Sequence, residues 1–274
     1  MNEAVGGKPY ITLDDLSIEF VTGTGKDTKQ LRAVDHVSLS VAKHELICVI
    51  GPSGCGKTTM LNAMTGLLQR DPSVVMTGDI RIDGIDLDRG SQGEIAYMFQ
   101  KDTLLPWLTA RENVRLPLRF RKSGADKNDR ELVESFLTRV GLGGFGDYYP
   151  SRLSGGMRKR LQLAQILAQG ASLILMDEPF AALDALTRAQ MHREFTDLWS
   201  AGTSTVVFVT HDISEALQLA DRVICMSKRP AKVVADFRVP IPRPRAPETM
   251  AQNETYERLL AELWRTMNEV NAAS

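Results

Sequence analysis

The chain has little cysteine, no excess of either charge and no long apolar run. Cys48, Cys55 and Cys225 are its 3 cysteines. They are too few and too scattered for a disulfide framework or a zinc site, and each reads as a small buried or loop residue in a reducing compartment. Lys and Arg number 33 against 34 Asp and Glu, a net charge of -1, without the basic footprint a nucleic-acid partner usually leaves. No stretch reaches the roughly 18 apolar residues that span a bilayer. The longest runs, such as Leu173–Met176 and Val206–Val209, are strand-length. The opening MNEAVGGKPY carries no basic region followed by an apolar core and does not read as a secretory signal, so any membrane connection is expected through a partner. No internal repeat is visible, which implies a single module. With 274 residues, 43% hydrophobic and 24% charged, the chain has the balance of a soluble globular protein with one large core or two lobes.

The pattern along the chain alternates. Tyr10–Phe20 alternates apolar and polar residues, and Leu46–Ile50 is a continuous apolar run suited to a strand covered on both faces. Gly23–Lys29 between them reads as a turn. Asp79–Leu87 reads as a hairpin with Asp83-Gly84 at its tip, and Glu94–Phe99 as a strand. Residues 101–160 read as helical, with an apolar rhythm over Arg130–Val140, a stop at Gly141 and a loop at Gly143–Tyr149. A further helix is expected from an N-cap at Ser154 to about Gln169. Strands at Leu173–Met176, Thr205–Val209 and Arg222–Met226 alternate with helices at about Ala185–Ala201 and Ile213–Ala220, which implies a parallel α/β sheet. Residues 229–250 hold five of the 12 prolines and are expected to be extended loop. Thr255–Val270 reads as an amphipathic helix with Tyr256, Leu259, Leu260 and Leu263 on one side.

The strongest chemical signal is Gly51-Pro52-Ser53-Gly54-Cys55-Gly56-Lys57-Thr58. It fits GxxxxGK[ST] and lies between an apolar strand and a helical segment, Thr59–Leu68, the context a phosphate-binding loop requires. The glycines let successive backbone N–H groups face phosphate oxygens at a helix N-terminus. Lys57 can reach the β- and γ-phosphates and the Thr58 hydroxyl can bind Mg²⁺. A second signal, Leu173–Glu178, ends a buried strand in Asp177-Glu178. Strand carboxyl ends are where ligands sit in open α/β sheets. Asp177 there suits the Mg²⁺ and Glu178 suits the base that polarises an attacking water.

Four more segments carry a family resemblance. Leu153-Ser154-Gly155-Gly156-Met157 resembles the signature motif of ABC ATPases, Phe99-Gln100 their Q-loop, Ala181–Asp184 their D-loop and Thr210-His211-Asp212 their switch histidine. The resemblance covers about residues 10–230, with the motifs in the family's order. It implies an α/β, P-loop NTPase core with a parallel sheet, an N-terminal antiparallel β subdomain and an inserted α-helical subdomain at about 101–165. Residues 231–274 would then form a C-terminal extension with a helix at about 255–270. It also implies ATP and Mg²⁺ as ligands and two such domains closing head-to-tail around two ATP molecules. Ser154, Gly155 and Gly156 of one domain would contact the γ-phosphate held by Gly51–Thr59 of the other. Gln100 would bind the Mg²⁺ and sense the γ-phosphate, His211 would contact the γ-phosphate and the water, and Phe20 would stack on adenine.

Leu105–Thr109, Glu112–Val114, Asp177–Arg188, the run LSGGMRKR and Arg243–Arg245 resemble the nitrate/sulfonate/taurine branch of ABC importers. That likeness implies a peripheral subunit on the cytoplasmic face of the inner membrane. Its Leu104–Val114 segment would receive a coupling helix of a permease, which would work with a periplasmic solute-binding protein. The sequence departs from the family at His44, where Gly is usual, at Lys159, where Gln is common, and at Gln165, where Arg is usual. A soluble ABC ATPase of translation or repair commonly has two cassettes or a coiled-coil insertion, which this chain lacks. A monomeric P-loop kinase has no use for a signature loop.

Overall fold

The computed structural model describes residues 8–23, 29–87, 95–120, 129–245, 247–250 and 252–272. Most of the expected Gly23–Lys29 turn and the first residue of the expected Glu94–Phe99 strand lie outside them. In chain order the first strands are β1 (Ile11–Thr22), β2 (Lys29–Val41) and β3 (Leu46–Ile50), followed by helix α1 (Lys57–Met64). Next come β4 (Val74–Ile82), β5 (Ile85–Asp86), β6 (Ile95–Met98), α2 (Ala110–Arg115), α3 (Asp129–Arg139) and α4 (Gly155–Gln169). The remainder is β7 (Leu173–Asp177), α5 (Ala185–Ser200), β8 (Thr205–Val209), α6 (Ile213–Leu219), β9 (Arg222–Met226), β10 (Val233–Arg238), α7 (Pro247–Met250) and α8 (Glu254–Ala272).

The chain divides into two compact units, Met1–Gly93 with Thr205–Ser274, and Glu94–Ser204. In the first, β2, β1, β4 and β5 form an antiparallel sheet in that order. The β4–β5 turn is the expected two-residue hairpin. Asp83 and Gly84 both take positive φ, 53° and 77°, as a turn matched to the twist of its strands requires. Beside this sheet in sequence but separate in pairing, β3 runs parallel to both β8 and β9, and β10 is antiparallel to β9. Every residue of β3 and of β8 is buried, which is why both read as unbroken apolar runs. Each fully buried aliphatic or aromatic side chain there contributes about 1.5–3 kcal/mol.

Residues 229–250 are not simply extended loop. The five prolines, at positions 230, 240, 242, 244 and 247, flank VVADFR without entering it, so that stretch keeps the N–H groups a strand needs and pairs with β9 as β10. The return after β10 is held by two arginines. Arg243 Nη1 donates to Asp221 Oδ1 at 2.6 Å and Nη2 to the Leu219 carbonyl at 2.6 Å. The buried Arg245 guanidinium donates to the carbonyls of Ile241, Leu217, Ala220 and Val239. Leu217 and Ala220 lie at the end of α6, where orphan carbonyls need donors. Burial pulls the Arg245 pKa down to about 10, so the charge persists at neutral pH. Arg245→Ala is expected to cost about 3 kcal/mol, because it strands several buried carbonyls at once. A lowered thermal midpoint with ATP affinity retained is the result that checks it. Farther on, α8 packs on α6 through Leu259, Leu263, Met267 and Val270. This stripe runs longer than the sequence suggested, and Tyr256 and Leu260 are only half-buried.

In the second unit, β6 and β7 pair in parallel. Helix α4 begins at the expected cap, with Ser154 Oγ accepting from Met157 N at 3.2 Å, and ends at Gly170 in the left-handed region. The ring of Phe195 on α5 meets that of Phe180 edge to face.

Candidate active site

In the first unit the site begins where β3 ends. Gly51 follows its last buried residue, and the loop to Gly56 turns the chain into α1, whose first residue is Lys57. Gly56 has φ 127°, and a Cβ there would stand 2.6 Å from the Ala33 carbonyl oxygen, so no other residue fits without moving β2. Lys57 is only 5% exposed. Its ammonium folds back over the loop, donating to the carbonyls of Gly51 at 2.8 Å and Pro52 at 3.0 Å. Ser53, Gly54 and Thr58 are exposed, Cys55 is buried, and Pro52, Gly56 and Thr59 are half-buried. Arg229, which the sequence reading did not single out, donates from Nε and Nη2 to the Gly54 carbonyl at 3.2 and 2.6 Å. It braces the outer side of the loop.

His211 stands at the carboxyl end of β8, beside the strand that leads into the phosphate loop. Val209 pairs with Val49, and Thr210 N donates to the Val49 carbonyl at 3.1 Å. The flanking residues hold the turn: Thr210 Oγ1 donates to the buried Glu215 carboxylate, and Asp212 caps α6 by accepting from Glu215 N at 3.1 Å. His211 is thus displayed, exposed, from a rigid turn. Phe20 sits on β1 opposite Leu31 and Val74 and is half-buried, so part of its ring faces outward.

In the second unit, β7 delivers Asp177, a buried residue at the strand end. Tyr97 on β6 is pushed above its ordinary pKa by burial and by the Asp177 charge. Glu178 follows with φ 45°. A non-glycine residue in that left-handed region costs about 1–2 kcal/mol, and such strain gathers at functional sites. The Glu178 carboxylate meets Gln100, whose Nε2 donates to Glu178 Oε2 at 3.3 Å. Sequence reading placed Gln100 and Glu178 in one site, and the fold brings them into contact. The D-loop residue Asp184 caps α5 by accepting from Thr187 N at 3.0 Å, and its carboxyl is held below the usual range by Thr187.

The signature residues Ser154 and Gly155 are exposed at the start of α4 and Gly156 is half-buried. A Cβ on Gly155 would meet nothing within 4 Å. The departures from the family pattern acquire local roles here. His44 takes φ 62°, the conformation for which the usual Gly is suited. Lys159 is buried and donates from Nζ to the Gln100 carbonyl at 2.8 Å, with burial lowering its pKa. Nothing in the structure explains Gln165.

The residues fit a nucleoside triphosphate with Mg²⁺. The loop is built on a glycine that tolerates no Cβ, opens a helix, and carries a buried lysine with two donor contacts to its own carbonyls. Among the described residues no group of three or more His, Cys, Asp or Glu could cage a metal ion by itself. Mg²⁺ takes one or two carboxylates and fills its shell with water and phosphate oxygens, and Asp177 is a carboxylate at a strand end suited to it.

Comparison with known proteins agrees. The ABC transporter family model matches residues 34–181. The bicarbonate transport ATP-binding protein CmpD of Synechococcus elongatus is 37% identical over 92% of this chain and 87% of its own. The aliphatic sulfonates import ATP-binding protein SsuB of Bacillus cereus is 34% identical, covering 88% and 92%. The nitrate import ATP-binding protein NrtD of Synechococcus elongatus is 37% identical, covering 84% and 82%. Among solved structures, the dimeric post-hydrolysis state of the ATP-binding cassette MJ0796 bound to ADP and Pi superposes with a TM-score of 0.70 at 31% identity. That match covers 84% of this chain and 98% of the other. Phosphate loop, acidic strand end, signature helix and these likenesses agree, and the chain belongs to the ABC transporter family as an ATP-binding, ATP-hydrolysing subunit.

Proposed function

We propose that this subunit powers import of a small solute of the nitrate, sulfonate or bicarbonate kind through a separate permease, working as one of a pair of such domains. The cassette occupies residues 1–230, with its helical subdomain at about 101–165, and residues 231–274 form an extension. The subunit sits on the cytoplasmic face of the inner membrane, and a periplasmic binding protein delivers the solute. No helix among the described residues is long and apolar enough to cross a membrane, so the permease contact falls to the surface.

The observation that carries this reading is the loop before α2. Buried Asn113 accepts from Leu105 N at 2.8 Å and donates to the carbonyls of Leu105, Leu108 and Thr109. Thr109 and Glu112 form a reciprocal cap on α2. This stapled loop presents Trp107, 69% exposed, a large apolar group held outward at a conformational cost already met. Such a rigid aromatic is the kind of anchor that dominates protein interfaces. Two of the supporting relatives are named for import and one for transport. Trp107→Asp is expected to abolish co-purification with the polytopic permease while ATP affinity stays within about twofold, since a hot-spot aromatic is worth about 2 kcal/mol or more to binding. Undiminished co-purification would remove the loop from the interface.

In this reading Phe20 stacks on adenine, and Gly51, Pro52, Ser53, Gly54, Cys55, Gly56, Lys57, Thr58 and Thr59 wrap the phosphates. Thr58, Gln100 and Asp177 hold the Mg²⁺, which when bound neutralises charge on the phosphate oxygens. Lys57 exchanges its loop carbonyls for phosphate oxygens. Glu178 polarises the attacking water and accepts its proton as the terminal phosphate leaves ADP. His211 orients that water and the γ-phosphate. Ser154, Gly155 and Gly156 complete the site of the opposite domain, their N–H groups lying at a helix start suited to anions.

A further inference from the structure

The loop that carries Gln100 is fastened to the helix that opens with the signature. Three side chains of α4 reach it. Lys159 Nζ donates to the Gln100 carbonyl at 2.8 Å, and Arg158 Nε to Asp102 Oδ2 at 2.9 Å. Gln162 Nε2 donates to Thr103 Oγ1 at 3.1 Å and to the Lys101 carbonyl at 3.4 Å. Arg158 also reaches backward, donating from Nη1 to the Leu153 carbonyl at 2.7 Å, one residue before the signature serine. One helical turn of α4 therefore touches both the start of the signature and four consecutive residues of the Gln100 loop. At the far end of that connection, Gln100 Nε2 stands on Glu178 Oε2.

We propose that Lys159 is a positioning residue for hydrolysis: its ammonium fixes the Gln100 backbone so that the Gln100 side chain stays on Glu178, with Arg158 joining that contact to the signature end of α4. The inference rests on the reading of Gln100 and Glu178 as hydrolytic machinery. A residue at 159 acts through the peptide of Gln100 and touches neither nucleotide nor water. Its loss should leave binding of ATP intact and slow its turnover. The bond is charge-assisted and short, from a donor shielded by burial, so it restricts the loop more tightly than a neutral amide could. Gln, the residue common at this place in the family, can still donate to the same carbonyl, though from a chain one carbon shorter and with no charge. Met matches the apolar length of lysine and donates nothing.

The test compares the full-length wild-type chain with Lys159→Met, Lys159→Gln and Glu178→Gln in steady-state Mg-ATP hydrolysis, with thermal midpoints measured alongside. Lys159→Met should lose about tenfold in kcat, the rate equivalent of one hydrogen bond to a charged group, with KM and ATP affinity within about twofold of wild type. Lys159→Gln should recover most of that loss. An unchanged kcat in Lys159→Met overturns the proposal, as does a KM that rises while kcat holds. So does a kcat deficit that vanishes when assayed well below a depressed thermal midpoint, because the role is then only structural. If Glu178→Gln hydrolyses ATP normally, the reading of the site itself fails. If Glu178→Gln is inactive and Lys159→Met is not, only the role of Lys159 fails.

Discussion

Glu178→Gln is expected to cut ATP turnover by about 100- to 10,000-fold, the share a positioned general base usually supplies, while leaving nucleotide binding intact. The structure makes this a clean substitution. Glu178 sits at φ 45°, and Gln pays the same left-handed strain as Glu, so the backbone has no reason to relax. Gln also keeps an acceptor oxygen for the Gln100 amide now 3.3 Å away. What disappears is the negative charge that polarises water and takes its proton. Lys57 and its contacts with the Gly51 and Pro52 carbonyls keep their own side chain and backbone. The variant should therefore bind ATP and stall with it bound. If two domains close around two ATP molecules, the stalled state accumulates as a dimer. Size-exclusion chromatography with Mg-ATP should show a dimer peak for Glu178→Gln that vanishes without nucleotide. A variant that remains monomeric at saturating Mg-ATP would remove the two-domain mechanism, and one that hydrolyses ATP at the wild-type rate would remove the role of Glu178.

How much of this was legible in the sequence depended on whether the signal was local. Strands β3, β8 and β9 could be read from composition alone because each carries a buried apolar run, Leu46–Ile50, Val206–Val209 and Val223–Met226. Helix α4 was marked at its start by Ser154, whose hydroxyl does cap it. The Asp83-Gly84 hairpin was equally local, since positive φ at two successive positions selects those residue types. Strand β10 is hidden in the sequence by the prolines on either side of it, although none lies within Val233–Arg238. A usable signal for α2 was overlooked: Thr109 followed three residues later by Glu112 is a capping box, and the structure contains both of its hydrogen bonds.

In the candidate site, the phosphate loop, Gln100, Asp177-Glu178 and His211 lie at or just past the ends of β3, β6, β7 and β8, a context that made them legible as candidates from sequence. Their supports were not. Arg229 lies 175 positions from the Gly54 carbonyl it braces, and Lys159 lies 59 positions from the Gln100 carbonyl it holds. Only the fold reveals such pairs. The sequence could show Lys159 as a departure from the family pattern, and it took the structure to give that departure a partner.

The phosphate loop supplies the second large effect. Lys57→Ala is expected to weaken ATP binding by about 100-fold, because two charge-assisted hydrogen bonds to phosphate oxygens contribute about 3 kcal/mol together and each 1.4 kcal/mol is tenfold. The geometry explains why affinity bears more of the loss than stability. Lys57 is buried and already satisfies its ammonium on the Gly51 and Pro52 carbonyls. Removing the side chain leaves the Pro52 carbonyl beside exposed Ser53 and Gly54, where water can replace the lost donor, and only the buried Gly51 carbonyl loses its donor without a substitute. The strain-bearing elements of the turn, Gly56 against Ala33 and Arg229 against Gly54, are untouched, so the loop keeps its shape. Arginine should not rescue the variant, since a planar guanidinium does not fit the space over the loop that a point-like ammonium fills. Calorimetric titration with Mg-ATP checks the affinity, and a thermal melt without nucleotide checks the fold. Unchanged affinity in Lys57→Ala would show that the ammonium stays on its loop carbonyls when nucleotide binds, and the phosphate role would then fall to the backbone N–H groups and Thr58.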